Sequence, residues 1–355
     1  MKILCLIEAL GSGGAERQLT GLAAMLKKDG NDVRVLTYFP KDFYKPVLDE
    51  AGVEYQYLAN AQNKFRRVPL LAKAIKAYNP DVLIAYSPSA AEVACMLKRM
   101  GLSYKLIVSE RNTSQSNNTR EKIKFFLYRW ADWIVPNSHM QARFIEEHYP
   151  QLMYKTKVIT NFVDTDYFCP SENKGEGLDV CRMICVGRDN PQKNQLRFIE
   201  AIKILVNNGV PLIVDWYGSF ESSYGQMCKD KISELHLESL FMLKGETKNI
   251  RDEYRRHDVF CLPSIYEGFP NVLCEAMSCG LPVLCSDVCD NPLIVTEGVN
   301  GILFNPNDIN SIAAKIEQFL SMNQDIKSVI GKTNRIKALK LFSPENFLNQ
   351  YKDLL

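Results

Sequence analysis

Short β-rich runs alternate with amphipathic helical stretches along this chain. The run KILCLIE is followed by AERQLTGLAAMLKKDG and then by DVRVLTY. This order is typical of a βαβ unit, in which a helix joins two parallel strands. Leu19, Leu22 and Leu26 recur at the spacing of one helical face, and Gly30 follows as a stop signal. The sequence therefore predicts a parallel sheet with helices packed on it.

The alternation continues through the predicted strands DVLIAY, KLIVSE, WIVPNS and KVITNF to about residue 165, stops, and then starts again. Residues 169–179, CPSENKGEGLD, are polar and contain glycine, which is typical of a linker. Beyond them come the strand-like runs MICVGR, LIVDWYG, FMLKGE, DVFCLPS, PVLCSD and GILFNP, separated by helical stretches. We therefore expect two tandem Rossmann-like, doubly wound α/β domains at residues 1–168 and 180–335. The default ligand site of such domains is a cleft at the carboxyl ends of the strands.

Composition excludes several classes of protein. The 355 residues are 46% hydrophobic and 24% charged, which is ordinary for a globular chain of about two domains. No stretch of about 18 residues lacks charges, and Glu8 interrupts the apolar start, so we expect neither a membrane span nor a signal peptide. The eleven cysteines form no C-x-x-C pair, which predicts reduced thiols in a cytoplasm and no zinc site.

The two halves of the chain carry opposite charge. Residues 1–170 hold 23 Lys and Arg against 17 Asp and Glu, whereas residues 171–355 hold 20 against 24. The excess in the first half is too diffuse to indicate nucleic acid. It leaves open a membrane surface or an anionic lipid-linked substrate.

A glycine-rich loop, GSGGAE, joins the first strand to the first helix. Its Gly13 and Gly14 allow backbone N–H groups to approach a ligand, and the helix N-terminus that follows favours an anion. Glu16 stands where a dinucleotide fingerprint has its last glycine, which disfavours a dehydrogenase. A tight turn without a ligand is the alternative.

Two carboxylates, Glu267 and Glu275, flank a predicted helix start in EGFPNVLCE. Residues eight positions apart do not lie on the same face of a continuous helix. Glu267 is therefore expected in the loop and Glu275 on the helix. Together with free N–H groups around Asn271 to Leu273, they suit a phosphorylated, hydroxyl-rich ligand. The alternative is that Glu275 is a solvated helix residue.

Two cations follow the strand MICVG in the segment RDNPQK. Arg188 and Lys193 lie around a proline turn and are able to converge on a diphosphate, the first as a bidentate fork and the second as a point charge. Two solvated surface cations are the alternative.

Two further segments have competing interpretations. Asp164 and Asp166 form a D-x-D, the spacing of some metal sites, but a turn or cap is expected at this position. In Thr119 to Trp130, basic and aromatic residues alternate in a way typical of an interfacial helix. Ile123, Phe126 and Trp130 are equally compatible with a buried core stripe.

Taken together, the chain resembles the retaining GT-B glycosyltransferases of family four, which include many bacterial enzymes of polysaccharide and lipid-linked glycan synthesis. The matching strings are GSGGAERQL, SERN, PNSHMQARFI, ITNFVDTDYF, VGRDNPQKNQ and EGFPNVLCEAMSCGLPVLCSDV. The resemblance implies that the two domains face one another across a cleft. It also implies transfer of a sugar from a nucleotide-sugar, usually a UDP-sugar, to a glycan or a polyprenyl-diphosphate-linked acceptor. Neither a metal nor another cofactor is implied.

The resemblance also assigns roles to individual residues. Arg188 and Lys193 would hold the diphosphate, Glu267 would orient the donor sugar, and Glu275 would bond the ribose. The other implied donor-binding residues are Gly13, Gly14, Phe269, Pro270, Asn271, Val272 and Leu273, and the implied acceptor-binding residues are Arg111 and Asn112.

The resemblance also predicts how the last helix packs, how the acceptor is deprotonated and where the enzyme is located. Residues 336–355 are expected to return to the first domain as a closing helix, with Phe342, Phe347 and Tyr351 on one face. Many family members have a histidine where this chain has Tyr86 and Ser87, which favours assistance by the departing phosphate. A cytoplasmic enzyme, peripheral to the inner face of the membrane, is the expectation. A nucleotide-sugar epimerase and a non-catalytic nucleotide-sugar scaffold are the alternatives.

Overall fold

The chain folds into two compact units. The structure, a computed structural model, describes residues 1–111, 113–114, 116–171 and 180–355. One unit comprises Met1–Phe162 with Pro344–Leu355, and the other comprises Val163–Ser343. The first unit thus ends before the predicted boundary at 168, because the amide of Val163 already donates to the carbonyl of Phe342 in the second unit. Residues 172–179 of the predicted linker lie outside the described residues.

The first unit is built on a six-stranded parallel sheet in the order β3-β2-β1-β4-β5-β6. The strands are β1 Lys2–Leu6, β2 Asp32–Thr37, β3 Glu54–Tyr57, β4 Val82–Tyr86, β5 Lys105–Glu110 and β6 Trp133–Pro136. The helices are α1 Gly14–Lys28, α2 Lys45–Glu50, α3 Lys64–Tyr78, α4 Pro88–Arg99, α5 Thr119–Leu127 and α6 His139–His148.

Both faces of this sheet are covered, which explains why its central strands are apolar throughout. Leu4 and Leu6 of β1 point into one core, whereas Ile3 and Cys5 point into the core on the other face. This is the period of two that a strand imposes on its side chains. The predicted apolar face of α1, including Leu22, is buried as expected.

The second unit repeats this architecture with its own six-stranded parallel sheet, in the order β12-β11-β10-β7-β8-β9. Its strands are β7 Cys181–Val186, β8 Leu212–Tyr217, β9 Phe241–Lys244, β10 Val259–Leu262, β11 Val283–Ser286 and β12 Gly301–Phe304. Its helices are α7 Gln195–Asn207, α8 Ser223–Glu234, α9 Ile250–Arg256, α10 Asn271–Ser278, α11 Asn291–Ile294, α12 Ile309–Leu320 and α13 Gln324–Phe342. The predicted pair of Rossmann-like α/β domains is confirmed.

One apolar run was wrongly predicted to be a strand. The segment KVITNF, residues 157–162, runs beside β6 and has no strand of its own. Two of its amides, those of Lys157 and Ile159, donate to the carbonyls of Ile134 and Pro136 at 3.0 and 3.1 Å. These bonds tie the segment to the sheet edge without forming a named strand.

Residues 336–355 contain the end of one helix and all of a second, whereas a single closing helix was predicted. Helix α13 ends at Phe342, and α14, Pro344–Lys352, begins two residues later. Ser343, directly before a proline, has φ −62° and ψ 148°, an extended conformation that ends the first helix. Phe342 packs in the core of the second unit, whereas Phe347 and Tyr351 pack in the core of the first. The prediction of one face shared by all three aromatic residues is therefore wrong.

The aromatic residues of Thr119 to Trp130 are divided between core and surface. Phe125 is buried, whereas 56% of Ile123 and 48% of Phe126 are exposed. A core stripe of Ile123, Phe126 and Trp130 is therefore wrong. The helix instead directs Lys124 and Phe125 inward, where Lys124 pairs with Glu110 at 2.7 Å.

A buried carboxylate, Asp215, joins three elements of the second unit. Its Oδ2 lies 3.0 Å from Nε2 of the buried His257 and 3.3 Å from Nη2 of Arg182. Lys244 lies 3.5 Å from its Oδ1. Burial alone would raise the pKa of the Asp215 carboxyl, but the hydrogen bond from His257 and the neighbouring cations lower it overall. Asp215 therefore stabilises the folded state as a carboxylate.

Replacing Asp215 with Asn is expected to reduce the free energy of unfolding by about 2 kcal/mol near neutral pH, because the partly exposed Arg182 and Lys244 lose the carboxylate with which they pair and the buried His257 loses a charged hydrogen-bond partner. The pKa of Asp215 is lowered on folding, so this contribution is present above its ordinary value of 3.8 and fades as the pH falls through the folded value. Urea unfolding at neutral and acid pH measures it. The exposed Asp230→Asn is the control. A loss for Asp215→Asn that matches the control would contradict the role of the carboxylate.

Candidate functional site

The carboxyl edge of the second sheet brings two of the predicted segments together. Strands β7 and β10 are hydrogen-bonded neighbours, and parallel strands end at the same edge. The segment with Arg188 and Lys193 follows β7, and the segment with Glu267 follows β10. Lys193 and Glu267, 74 positions apart in sequence, are therefore brought together by the strand order.

Backbone and amide contacts hold these two segments to each other. The amide of Ile265 donates to the carbonyl of Gln192 at 2.8 Å. The buried Asn194, in the left-handed conformation with φ 64°, donates its side-chain amide to the carbonyls of Pro263 and Pro306 at 3.1 and 2.8 Å. Asparagine tolerates this conformation better than most residues. The local fold therefore fixes Lys193, which lies between Gln192 and Asn194.

Lys193 and Glu267 form an ion pair. Nζ of Lys193 lies 2.6 Å from Oε1 of Glu267, whose side chain is only 8% exposed. The lysine stem passes close to Gly187, where a Cβ would come within 3.2 Å of it. An ammonium has three N–H donors, so the pair leaves Lys193 further donors for an anion. The structure brings together the residue predicted for the diphosphate and the residue predicted for the donor sugar.

Arg188 lies on the same segment and has an exposed side chain. Its carbonyl accepts a hydrogen bond from Gln195 at 2.9 Å, which fixes the backbone at this position. An exposed guanidinium on a fixed backbone is a suitable partner for a phosphate.

Glu275 lies on α10 and is 4% exposed. The hydroxyl of the buried Tyr254 lies 3.4 Å from its Oε2, so the carboxylate has a polar neighbour inside the unit. The interpretation of Glu275 as a solvated helix residue is wrong, because the helix directs this side chain inward.

The backbone N–H groups of Asn271 and Leu273 were predicted to be free, but both are hydrogen-bonded. The amide of Asn271 donates to the carbonyl of Phe269 at 3.0 Å, and that of Leu273 donates to the carbonyl of Pro270 at 3.1 Å. Both amides are thus used by the turn that starts α10. The side chains of Phe269 and Leu273 are buried in the core, and Val272 packs against that core.

A cavity of about 270 Å³ lies beyond the ends of β8 and β9. The amide of Asp189, next to Arg188, donates to the carbonyl of Ser219 at 3.0 Å, which joins the cavity wall to the cationic segment. Gly218 has φ 156° and a Cβ there would strike the carbonyl of Gly187, so this position requires glycine. The lining residues are Gly218, Ser219, Phe220, Glu221, Lys229, Leu243, Gly245 and Glu246. Sequence reasoning missed this cavity, although a glycine directly after each strand was an available signal.

In the first unit, Gly13 caps α1 and Gly14 is its first residue. A Cβ at Gly13 would strike the carboxylate of Glu16, which lies back over the loop. A carboxylate at a helix N-terminus is favourable, so Glu16 occupies the position that was predicted to favour an anionic ligand.

Arg111 follows β5, and its guanidinium contacts Tyr86, Asn161 and Tyr351. Asn112, the other predicted acceptor-binding residue, lies outside the described residues. Tyr86 is fully buried, and burial raises its pKa well above the ordinary value. A proton transfer by Tyr86 in place of the family histidine is therefore disfavoured.

The D-x-D segment forms a turn. Oδ1 of Asp164 accepts a hydrogen bond from the amide of Tyr167 at 3.0 Å. Among the described residues, no three or more His, Cys, Asp or Glu side chains are grouped as a metal site would require. The Asp164 carboxylate has the local role that turns give to aspartate.

Two family models match the chain in succession. Residues 12–167 match "Glycosyltransferase Family 4", and residues 172–336 match "Glycosyl transferases group 1".

Bacterial sequence relatives include two transferases of lipid-linked sugars. A UDP-Gal:α-D-GlcNAc-diphosphoundecaprenol α-1,3-galactosyltransferase of Escherichia coli is 29% identical over 67% of this chain and 65% of its own length. A GalNAc-α-(1→4)-GalNAc-α-(1→3)-diNAcBac-PP-undecaprenol α-1,4-N-acetyl-D-galactosaminyltransferase of Campylobacter jejuni is 26% identical over 94% of this chain and 93% of its own.

Solved structures share the fold. A glycosyltransferase from Rickettsia africae superposes with a TM-score of 0.88 at 21% identity, covering 99% of this chain and 97% of its own. HepE of Anabaena, solved in complex with UDP and glucose, superposes with a TM-score of 0.84 at 22% identity, covering 99% and 98%.

Replacing Lys193 with Met is expected to weaken the binding of UDP by about 10- to 100-fold, because the lysine stem is kept but a charged donor is lost. A thermal-shift titration with UDP measures the affinity through the stabilisation that binding gives. The control is Lys340→Met, an exposed lysine of α13. Equal affinity of the Lys193→Met variant and the wild type would contradict the assignment of this segment to the diphosphate.

Proposed function

The chain belongs to the glycosyltransferases of GT-B fold, and we propose that it transfers a sugar from a UDP-sugar to a lipid-linked glycan, with retention at the anomeric carbon. Two of its relatives are transferases of sugars linked to undecaprenol diphosphate, and a third, from Erwinia amylovora, is a glycosyltransferase of amylovoran biosynthesis. The observation that carries the proposal is the paired Lys193 and Glu267 beside Arg188, at the carboxyl edge of the second sheet.

The chemistry proposed for this edge is stabilisation of the leaving group. As the bond to the anomeric carbon breaks, negative charge grows on the departing diphosphate, and Arg188 and Lys193 supply positive charge there. Glu267, fixed by Lys193, accepts hydrogen bonds from the donor sugar. This division of roles needs neither a metal nor a covalent nucleophile. The departing phosphate takes the proton of the acceptor hydroxyl.

The nucleoside is proposed to lie along the same edge. Glu275 accepts hydrogen bonds from the ribose hydroxyls, as the family resemblance implies. The base is proposed to enter the cavity lined by Ser219 and Gly245. This cavity is close to the proposed diphosphate site, since the backbone bond from Asp189 to Ser219 joins its wall to the segment with Arg188.

A membrane surface is the proposed location of the enzyme. Phe126 and Trp130 are in ring contact at 5.5 Å, with Arg129 over Phe126 at 5.3 Å and Arg99 over Trp130 at 4.8 Å. Exposed apolar side chains interleaved with arginines suit an anionic bilayer surface. None of the helices in the described ranges is both long and apolar enough to cross a bilayer. We propose that the enzyme associates peripherally with the inner face of the membrane through these exposed side chains.

The purified chain is expected to transfer sugar from a UDP-sugar to an α-linked sugar diphosphoundecaprenol, equally well with and without EDTA. A panel of UDP-, GDP- and ADP-sugars against GlcNAc- and GalNAc-diphosphoundecaprenol, followed by mass spectrometry, identifies the donor and acceptor. Proton NMR of the product reports its anomeric configuration. Donor conversion without glycoside would indicate an epimerase, and loss of transfer in EDTA would contradict the metal-free mechanism.

The double substitution Ile123→Ser and Phe126→Ser is expected to weaken binding to phosphatidylglycerol vesicles by about tenfold, since two exposed apolar contacts with the bilayer are lost. Vesicle sedimentation at low and high salt measures the binding and its screening. The matched control is Tyr154→Ser, which removes an exposed aromatic side chain elsewhere in the first unit. Equal effects of the two variants would exclude a specific membrane surface at α5.

A further inference from the structure

Neutral groups from separate parts of the first unit hold the guanidinium of Arg111. Its Nη2 donates to the hydroxyls of Tyr86 and Tyr351 at 2.7 and 2.6 Å, and its Nη1 donates to Oδ1 of Asn161 at 2.8 Å. Cζ lies 4.3 Å from the centroid of the Tyr86 ring. The ring and the three bonds together fix both the plane and the direction of the side chain.

The two phenols form a buried support for this arginine. Tyr86, the last residue of β4, and Tyr351, from α14, are both fully buried, and their hydroxyls lie 2.9 Å apart. Phe347 and Leu354 are buried in the same core as Tyr351. The segment Pro344–Leu355 therefore contributes one of the groups that orient Arg111.

The charge of Arg111 is not neutralised by a carboxylate within the described part of the chain. Its polar partners there are two hydroxyls and an amide oxygen. The adjacent Glu110 is instead paired with Lys124 at 2.7 Å. Nε of Arg111 is buried and has no hydrogen-bond partner among the described groups. A partly exposed guanidinium held only by neutral groups carries a positive charge that attracts an anion.

We propose that Arg111 binds the diphosphate of the lipid-linked acceptor, and that Tyr351 and Tyr86 are positioning residues that hold its guanidinium for this contact. The proposal rests on the proposed function, which supplies an acceptor with that chemistry. Arg111 follows β5 at the carboxyl edge of the sheet, where α/β domains bind ligands. Nη1 donates only one of its two N–H groups to Asn161, so the second is the donor left for a phosphate oxygen.

The test compares farnesyl diphosphate with farnesol, two probes that differ only in the anionic group. Isothermal titration calorimetry in saturating UDP, which fills the donor site, gives the dissociation constants. Tyr351→Phe is expected to weaken farnesyl diphosphate by about tenfold, since a guanidinium that loses one of its fixing bonds is less well oriented. Farnesol affinity should not change. Tyr86→Phe is expected to behave in the same way.

The matched control is Tyr104→Phe, because Tyr104 is a buried tyrosine of the same unit that donates to the carbonyl of Ala94 at 2.7 Å. Unchanged affinity of Tyr351→Phe and Tyr86→Phe for farnesyl diphosphate would overturn the proposal, as would an equal loss for farnesol or in the control. A wild-type chain that binds farnesyl diphosphate but not UDP would instead count against the donor site of the proposed function.

Discussion

Both candidate sites follow from the parallel arrangement of the strands in the two sheets. Parallel strands all end at one edge, so every segment that follows a strand is delivered to that edge whatever its distance along the chain. In the second unit this places Lys193 against Glu267. In the first unit it places Arg111 next to Tyr86, the residue that ends the neighbouring strand.

Each unit has a cationic side chain at the carboxyl edge of its sheet, but the groups that orient the two cations differ. Lys193 is paired with a carboxylate that is nearly buried, so its orientation is set before any ligand arrives. Arg111 is oriented by phenols and an amide, and its charge is not offset by a carboxylate among the described residues. The first arrangement suits a donor whose sugar also needs an acceptor of hydrogen bonds. The second suits an anionic group alone.

The sequence predicted the elements whose signals are local. Most strands and the buried face of α1 followed from apolar runs and helical spacing, because burial on both sides of a sheet leaves a strong pattern. Strand β3, EYQY, was missed because it is a half-buried edge strand with polar residues. The run KVITNF was apolar enough to be mistaken for a strand. The break between α13 and α14 at Ser343 was missed because its signal is a single proline, Pro344.

The sequence could not predict contacts that depend on distant parts of the fold. The cationic and acidic segments of the second unit were identified, but their ion pair joins residues 74 positions apart. The amides of Asn271 and Leu273 were predicted to be free, since local pattern does not show which turn bonds they make. Tyr351 lies 240 positions from Arg111, and only the folded chain shows that they meet.

A crystal structure of the chain with UDP would show which side chains hold the diphosphate and the ribose. We expect the diphosphate to lie within hydrogen-bond distance of Arg188 and Lys193, without a metal, and the ribose hydroxyls to contact Glu275. UDP bound away from these side chains, or a diphosphate held by a metal ion, would contradict the proposed donor site.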